Sequence, residues 1–309
     1  MNIAGIVCEY NPMHRSHVYH IEKTKECLGG DTAVVCVMSG DFVQRGEPAV
    51  MNKFARAKAA VMSGANLVIE NPAPWCISSA ERFAFGSVSI LDSIGVCTHI
   101  SFGSESGDIE PLAEAAEALG ADEVQEYIGA EIRNGLSYAA ARQKAAEMVM
   151  GKSADFIKMP NNILAIEYLK ALSGLKSNIE PVTIKRFGAG HDDMEEGESV
   201  SASLIREKLL AGADIKDNVP GTVFSVIEEE AAAGRAPVTM DAADTAIMSG
   251  LRKMTMPEFM RLPDSAEELY WRLKSAAADS TNIKEVIEKA RTKRYSYARI
   301  RRVLLYLYL

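Results

Sequence analysis

The sequence predicts an α/β fold in which a Rossmann-like, doubly wound parallel sheet with a helical insertion is followed by an all-helical C-terminal domain. Short apolar runs alternate with helical patterns over the first hundred residues, residues 109–150 are helical throughout, and only helical patterns occur beyond about residue 218. A chain of 309 residues can form two domains, each with its own core. We therefore expect domains at 1–217 and 218–309.

The order of the elements supports the parallel sheet. Apolar, β-branched runs predict strands at 3–8, 33–38, 67–70, 97–102 and 181–186. Amphipathic spacing predicts the intervening helices at 16–28, 52–63, 80–94, 161–172 and 203–210. Strands joined by such helices form right-handed βαβ units, and ligands of these sheets bind beyond the carboxyl ends of the strands.

The composition excludes several classes of protein. Apolar residues make up 48% and charged residues 25%, which is typical of a globular protein rather than a disordered or membrane-spanning one. The five cysteines form no C-x-x-C pair, so we expect neither a metal site nor a disulfide framework. No signal peptide precedes the first strand, and we expect a cytoplasmic protein without a membrane partner. The apolar end, at 303–309, predicts a further C-terminal segment that is missing here.

The charge is unevenly distributed. The net charge is −8, yet residues 281–302 hold eight basic residues and only two acidic ones. A basic stretch on an otherwise acidic protein can bind phosphates, so this stretch predicts a nucleic-acid contact. A solvated basic helix is the alternative interpretation.

A group of candidate functional residues directly follows the first strand. His14, His17 and His20 recur at helical spacing at the start of the first helix, after the Asn11-Pro12 turn. A helix N-terminus offers unpaired N–H groups, and imidazoles can hydrogen-bond phosphate in either protonation state. The pattern predicts a site for the phosphates of ATP. The alternative is that the three histidines are packing or surface residues.

Three further clusters lie at the ends of predicted strands or at the starts of predicted helices. Residues 38–48 combine glycines, Arg45 and a carboxylate, and the segment 102–105 contains Gly103, which would allow close approach of a nucleotide. The third cluster consists of Arg186 with Ser201, Ser203 and Arg206 at a helix start. Each of these could be ordinary turn or capping chemistry. Lys53 and Arg56 on the helix predicted at 52–63 could face phosphates or solvent.

Several of these strings resemble one family. IVCEYNPMHRSH at 6–17 and VMSGDFVQRGEPA at 37–49 are similar to the bacterial tRNA(Met) cytidine acetate ligases, which belong to the HxGH nucleotidyltransferase group. Further similar strings are FGSE at 102–105, NNILAIEY at 161–168, RFGAG at 186–190 and KRYSYAR at 293–299. One departure stands in the histidine motif, where this chain has Ser16 in place of the family's glycine.

The resemblance implies a ligase that adenylates acetate with ATP, releases pyrophosphate, and acetylates N4 of the wobble cytidine of elongator tRNA(Met). It places His14 and His17 as catalytic residues. We also expect Mg²⁺ with ATP, because a bound metal commonly neutralises phosphate charge. The expected ATP-binding residues are Val7, Cys8, Glu9, Tyr10, Asn11, Pro12, His14, His17, His20, Gly103, Asn161, Asn162, Arg186, Ser201, Ser203 and Arg206. The expected tRNA-binding residues, in the basic stretch, are Lys293, Arg294, Tyr295, Arg299, Arg301 and Arg302.

Two other functions remain open from the sequence. One is a small-molecule adenylyltransferase of the same fold, and the other is a non-catalytic RNA-binding relative, which the serine in the histidine motif makes more plausible. The oligomeric state and the residues that hold acetate are not indicated by any pattern.

Overall fold

The computed structural model describes residues 1–186 and 201–309. The string at 187–190 and the acidic segment at 192–198 lie outside the described residues. The strands are β1 (Ile3–Cys8), β2 (Ala33–Ser39), β3 (Phe42–Val43), β4 (Glu47–Pro48), β5 (Leu67–Asn71), β6 (His99–Ser104) and β7 (Glu180–Lys185).

The helices of the N-terminal part are α1 (Arg15–Leu28), α2 (Lys53–Met62), α3 (Ala73–Cys76), α4 (Ala80–Ser93), α5 (Glu110–Gly120), α6 (Asp122–Arg133), α7 (Tyr138–Met150), α8 (Pro160–Leu175) and α9 (Ala202–Leu210). Those that follow are α10 (Gly221–Ala232), α11 (Asp244–Lys253), α12 (Met256–Phe259), α13 (Glu267–Ala278), α14 (Ile283–Ala290) and α15 (Tyr297–Tyr308). Two 3₁₀ helices, Gly151–Lys158 and Met240–Ala243, connect them.

Five strands form one parallel sheet in the order β5-β2-β1-β6-β7, which confirms the predicted doubly wound architecture. The strand order reverses between β1 and β6, so the loops after these two strands diverge and leave a crevice. The predicted fourth strand is displaced, since β6 begins at His99 rather than at residue 97. The β3–β4 hairpin was not predicted, because strands of two residues leave no periodic pattern.

The sheet is covered on both faces. Helices α4 and α8 pack against one face with the insertion α5–α7 outside them, in a core that includes Val37, Ile100 and Leu172. The opposite face buries Ile6 and Cys36 against helices α1, α2, α9 and α10. Because strands buried on both faces need apolar residues at every position, β1 and β2 read as continuous apolar runs.

The C-terminal helices form a separate core. This core extends from Ile247 to Leu304, whereas the core beneath α10 still belongs to the sheet as far as Ile227. Helix α15 also contacts the N-terminal part, since Leu305 packs with Cys76 and Phe83. No helix within the described residues is long and apolar enough to cross a membrane.

Candidate functional site

A cavity of about 560 Å³ opens at the carboxyl ends of β1 and β6, where the strand order reverses. Its size lies within the range of small-molecule sites, roughly 300–1,000 Å³. Twelve of the expected ATP-binding residues line it: Val7, Cys8, Glu9, Tyr10, Asn11, His17, His20, Gly103, Asn161, Arg186, Ser203 and Arg206. The remaining four, Pro12, His14, Asn162 and Ser201, lie outside the lining.

The turn between β1 and α1 is held by buried polar contacts. Tyr10 takes a left-handed backbone conformation (φ 44°), and the Asn11 side chain accepts a hydrogen bond from the Val50 N–H at 2.8 Å. The fully buried Arg56 donates to the carbonyl oxygens of Glu9 and Ser39 at 2.6 and 2.9 Å. Arg56 therefore ties together the ends of β1 and β2 and does not face phosphates, which settles one of the alternatives left open by the sequence.

The first two histidines lie one over the other at the start of α1. Their ring centroids are 3.8 Å apart, with an interplanar angle of 32°. The backbone N–H of His14 donates to Nδ1 of His17 at 3.2 Å. Since Nδ1 accepts this hydrogen bond, the neutral His17 ring carries its proton on Nε2 and acts as a donor there. His14 itself is buried behind His17 and supports it.

The third histidine belongs to a chain of hydrogen bonds. The Thr24 hydroxyl donates to the His20 carbonyl at 2.8 Å, and Thr24 and Ser101 hydroxyl oxygens are 2.7 Å apart. Ser101 must therefore donate to Thr24, so that its oxygen accepts from Nε2 of His20 at 2.9 Å. This order of donors fixes the neutral tautomer of His20 and leaves its Nδ1 as an acceptor.

The imidazoles are uncharged near neutral pH. Burial, and after it the charge of Arg186, lowers the pKa of His14 and of His20 to about 4. The pKa of His17 is also lowered, by burial first and then by His14, Arg186 and His20. The cavity wall thus presents hydrogen-bonding rings without adding positive charge. The positive charge comes from arginines.

Three arginines, Arg45, Arg186 and Arg206, line the cavity. Arg186 donates to the Asn161 side-chain oxygen at 2.8 Å, while Arg206 donates to the Asn11 carbonyl at 2.8 Å and to the Ser203 hydroxyl at 3.1 Å. Within residues 1–186 and 201–309, none of the three has a carboxylate partner at ion-pair distance. Their positive charge therefore remains available to an anion.

Three helix N-termini converge on the same cavity. Its lining includes the first-turn residues Ser16 and His17 of α1, Pro160 and Asn161 of α8, and Ala202 and Ser203 of α9. The helix dipole favours an anion at the starts of α1 and α9, whereas the start of α8 already holds the carboxylate of Glu105, which accepts from the Asn161 and Asn162 N–H groups. Ser201 serves α9 as its N-cap, because its hydroxyl accepts from the Leu204 N–H at 3.3 Å.

The start of α8 is held by Glu105, which was not among the expected site residues. Its carboxylate accepts from the Asn161 side chain at 2.7 Å and from the Asn162 N–H at 3.1 Å. The Asn162 side chain in turn accepts from the Glu105 N–H and donates to the Phe156 carbonyl. Asn162 is buried by these contacts, so it orients Glu105 while Asn161 reaches the cavity with Arg186.

The turn between β3 and β4 adds Gln44 and Arg45 to the cavity lining. The Gln44 N–H donates to the carboxylate of Glu9 at 2.7 Å. Burial raises the pKa of Glu9, although this hydrogen bond and the nearby arginines act to lower it. The sequence analysis placed Arg45 in the candidate cluster at 38–48 and left Arg56 open, and neither was among the expected ATP-binding residues.

The expected tRNA-binding residues are mostly engaged within the protein. Tyr295 is fully buried, and its hydroxyl donates to Glu268, so its ring has no open face for a base. Arg302 is buried and pairs with Asp264 at 2.7 Å. Arg294 pairs with Glu268 at 2.9 Å, and Arg301 pairs with Glu47. Arg299 donates to the Asp264 carbonyl. Lys293 is exposed.

The comparisons with known proteins identify the family. The sequence profile described as HIGH Nucleotidyl Transferase matches residues 1–309. The chain is 42% identical to the tRNA(Met) cytidine acetate ligase of Acetivibrio thermocellus, over 99% of this chain and 76% of the relative. The enzyme of the same name from Clostridium novyi is 40% identical, over 98% and 78%. The chain belongs to the tRNA(Met) cytidine acetate ligase family.

A solved structure supports the same assignment and the fold. The chain matches a crystal structure of Thermotoga maritima TmcAL bound with alpha-thio ATP, with a TM-score of 0.92 and 34% identity, over 99% of this chain and 74% of that chain. The apo form of that protein matches equally, with a TM-score of 0.92. The family is one of ligases, and the predictions of the family, the fold and an enzyme are thereby confirmed.

Proposed function

We propose that the chain is an ATP-dependent tRNA(Met) cytidine acetate ligase that adenylates acetate and transfers the acetyl group to N4 of the wobble cytidine of elongator tRNA(Met). The observation that carries this proposal is the convergence on one cavity of the starts of α1 and α9 and of three arginines that, among the described residues, have no carboxylate partner. Such an arrangement suits a triphosphate. The related Thermotoga maritima protein with bound alpha-thio ATP supports the choice of nucleotide.

In the first step, an acetate oxygen attacks the α-phosphorus of ATP. A new P–O bond forms, the bond to the bridging oxygen breaks, and pyrophosphate leaves with the electron pair. Nε2–H of His17 donates to the phosphate oxygens on which charge develops, and His14 holds His17 in the required orientation. Arg186 and Arg206 bind the departing pyrophosphate beside the N-terminus of α9.

In the second step, the exocyclic amine of the cytidine attacks the acetyl carbonyl carbon. The C–O bond to AMP breaks, AMP leaves with the electron pair, and the amine loses a proton. The base must be unstacked to reach a cavity in the protein, and an anticodon loop allows this. For tRNA contacts we retain Lys293 and Arg294, because both are exposed. We assign Tyr295 and Arg302 to packing.

Magnesium is expected to enter with ATP. Among the described residues, no group of three or more acidic, histidine or cysteine side chains could hold a metal ion. The ion would therefore be bound mainly by the phosphates, which is common for Mg²⁺. Its chemistry would be to neutralise phosphate charge, and the arginines of the cavity share that task.

The test is a pair of assays on the whole chain. We expect acetate-dependent exchange of pyrophosphate into ATP, and an acetyl group on the wobble nucleoside after incubation with ATP, acetate and tRNA(Met), read by mass spectrometry. Exchange that requires a phosphorylated small molecule instead of acetate would indicate the small-molecule adenylyltransferase. Binding of tRNA without any exchange would indicate the non-catalytic relative.

The serine in the histidine motif is examined by the same exchange assay. Ser16 lines the cavity at the first turn of α1, where the resembling motif has glycine. A Ser16→Gly variant with faster exchange would show that the hydroxymethyl group crowds the nucleotide. Slower exchange would show that this chain uses the serine to hold its ligand.

A further inference from the structure

We propose that the ion pair between Arg301 and Glu47 holds the β3–β4 turn so that Arg45 contacts the phosphates of ATP. Arg301 is then a positioning residue for the nucleotide, not a contact for tRNA, although it lies in the basic stretch. This inference rests on the ATP site proposed above, and it extends that site to a residue more than two hundred positions away in the sequence. It also adds Arg45 to the residues that bind the nucleotide.

The turn is short and is fixed at both ends. Val43 pairs with Glu47 across the hairpin, and the Gly46 N–H donates to the Val43 carbonyl at 2.9 Å. Gly46 has a φ of 76°, which is typical of the last residue of a three-residue hairpin turn. Arg45 stands at the middle of this turn, and Gln44 before it donates to Glu9 in the cavity wall. A small shift of the turn therefore moves Arg45.

Helix α15 supports the outer side of the turn. A Cβ atom on Gly46 would lie 2.5 Å from the backbone nitrogen of Arg302 and 2.7 Å from the Cβ of Arg301, so the turn lies directly against the helix. The guanidinium of Arg301 donates to the Glu47 carboxylate. Phe42, at the base of the hairpin, packs in the cluster that contains Leu305. The helix and the turn thus form one packed unit.

Arg45 differs from the arginines of α15. Its side chain is exposed on the cavity side, and within the described residues it makes neither an ion pair nor a hydrogen bond. The other two cavity arginines are already held by Asn161 and Asn11. An arginine that is held only through its backbone depends on the turn that carries it. Gln44 on one side of Arg45 is held by Glu9 and Ser78, and on the other side the turn is held by the pair formed by Glu47 and Arg301.

The test measures binding of ATP with Mg²⁺ by titration calorimetry, without acetate or tRNA. We expect Arg45→Ala to weaken ATP binding by about tenfold, and Glu47→Gln and Arg301→Leu to weaken it by about three- to tenfold. The direction in which Glu47→Gln changes ATP affinity is decisive. Removing a negative charge near the site would strengthen anion binding if only the electrostatic field mattered, whereas loss of the support weakens it.

A double-mutant cycle tests whether Glu47 and Arg301 affect ATP binding through Arg45. In the Arg45→Ala background, Glu47→Gln and Arg301→Leu should change ATP affinity by less than about twofold, because the residue that they position is gone. Arg272→Leu, which breaks another arginine–glutamate pair of the C-terminal helices, is the matched control and should leave ATP affinity unchanged. Glu47→Gln keeps the test usable if Arg301→Leu does not fold.

The contrary results are distinct. If Arg301→Leu weakens tRNA binding in a gel-shift assay but leaves ATP affinity unchanged, Arg301 is a tRNA contact and the inference is overturned. Full additivity in the cycle would overturn it as well. If the unmodified chain does not bind ATP at all, the proposed function fails together with this inference; if it binds ATP and the variants behave as it does, only the inference fails.

Discussion

The cavity and the C-terminal basic stretch both contain arginines, but the two sets differ in whether the guanidinium is paired with a carboxylate. In the cavity, Arg186 and Arg206 donate to amide, carbonyl and hydroxyl oxygens, and neither forms an ion pair with a carboxylate of residues 1–186 or 201–309. In the basic stretch, four arginines pair with carboxylates: Arg291 with Glu288, Arg294 with Glu268, Arg301 with Glu47, and Arg302 with Asp264. The count of charges in the sequence thus overstates the charge available for a ligand.

The two states have different energetic consequences. An arginine held by neutral acceptors keeps its attraction for an incoming anion, and in a partly enclosed cavity that attraction is strong. An arginine paired with a carboxylate at a buried position contributes to folding, since removal of one partner leaves the other charge uncompensated. Removing a cavity arginine should therefore affect the reaction, and removing a paired arginine should affect stability.

The largest effect is expected for Arg186→Met. Loss of a charged donor near the transferring phosphate should lower kcat/KM for acetate-dependent pyrophosphate exchange by about 10²- to 10³-fold. Arg186→Lys, which keeps the charge but not the fork of donors, should recover part of this loss. Unfolding in urea should change little. Exchange close to that of the unmodified chain would remove Arg186 from the site.

The second-largest effect is expected on the free energy of unfolding, when a paired arginine is removed. Arg302→Met should lower the free energy of unfolding by about 2 kcal/mol, because Arg302 is buried and Asp264 would lose its partner. Arg294→Met is the matched control, and its loss should be below about 1 kcal/mol, since that pair is exposed. Both losses are to be measured by urea unfolding. Equal losses would show that burial does not separate the two pairs.

The sequence predicted the fold well because its signals are local. Continuous apolar runs such as Ile3–Cys8 and helical spacing between them indicate a parallel sheet without knowledge of tertiary contacts. The β3–β4 hairpin was missed because it has no local signal of this kind. Its conformation depends on Gly46 lying against α15. The division between the cores also follows packing, as α10 joins the sheet through Val223 and Ile227.

Site residues were most predictable where they lie near the end of a strand or at the start of the helix that follows it. His17 lies in the first turn of α1, which follows β1, Gly103 lies within β6, and both line the cavity. Whether an arginine is free or paired cannot be read from sequence, because its partner can be distant, as Glu47 is from Arg301. Tyr295 illustrates the same limit, since only the packed structure shows that its ring is enclosed.

The third prediction concerns the neutral histidines beside the cavity cations. His14 has a pKa of about 4 in the folded protein and an ordinary value near 6.5 when unfolded. Its contribution to stability is present above about pH 6.5 and is lost as the pH falls toward 4, because the unfolded chain then binds the proton more readily. Between pH 7.5 and 5.0, this one residue should account for a loss of about 2 kcal/mol.

The variant His14→Asn isolates this contribution from the carboxylates that titrate in the same range. Asparagine keeps a capping side chain at the start of α1 but does not titrate. Urea unfolding at the two pH values should show a smaller acid loss in the variant than in the unmodified chain. An equal loss in both proteins would mean that His14 is protonated as easily in the folded state as in the unfolded one.

The smallest effect is expected where the basic stretch remains open to solvent. Lys293 and Arg294 are exposed, and the ion pair of Arg294 can exchange its carboxylate for a phosphate. Replacing both residues by glutamate should weaken tRNA binding by about tenfold at moderate salt and reduce its salt dependence, while pyrophosphate exchange is retained. The double variant Lys23→Glu and Lys58→Glu, an equal change of charge on the N-terminal part, is the control. If tRNA affinity is the same in both variants, the basic stretch is structural throughout, and the RNA must bind another face of the molecule.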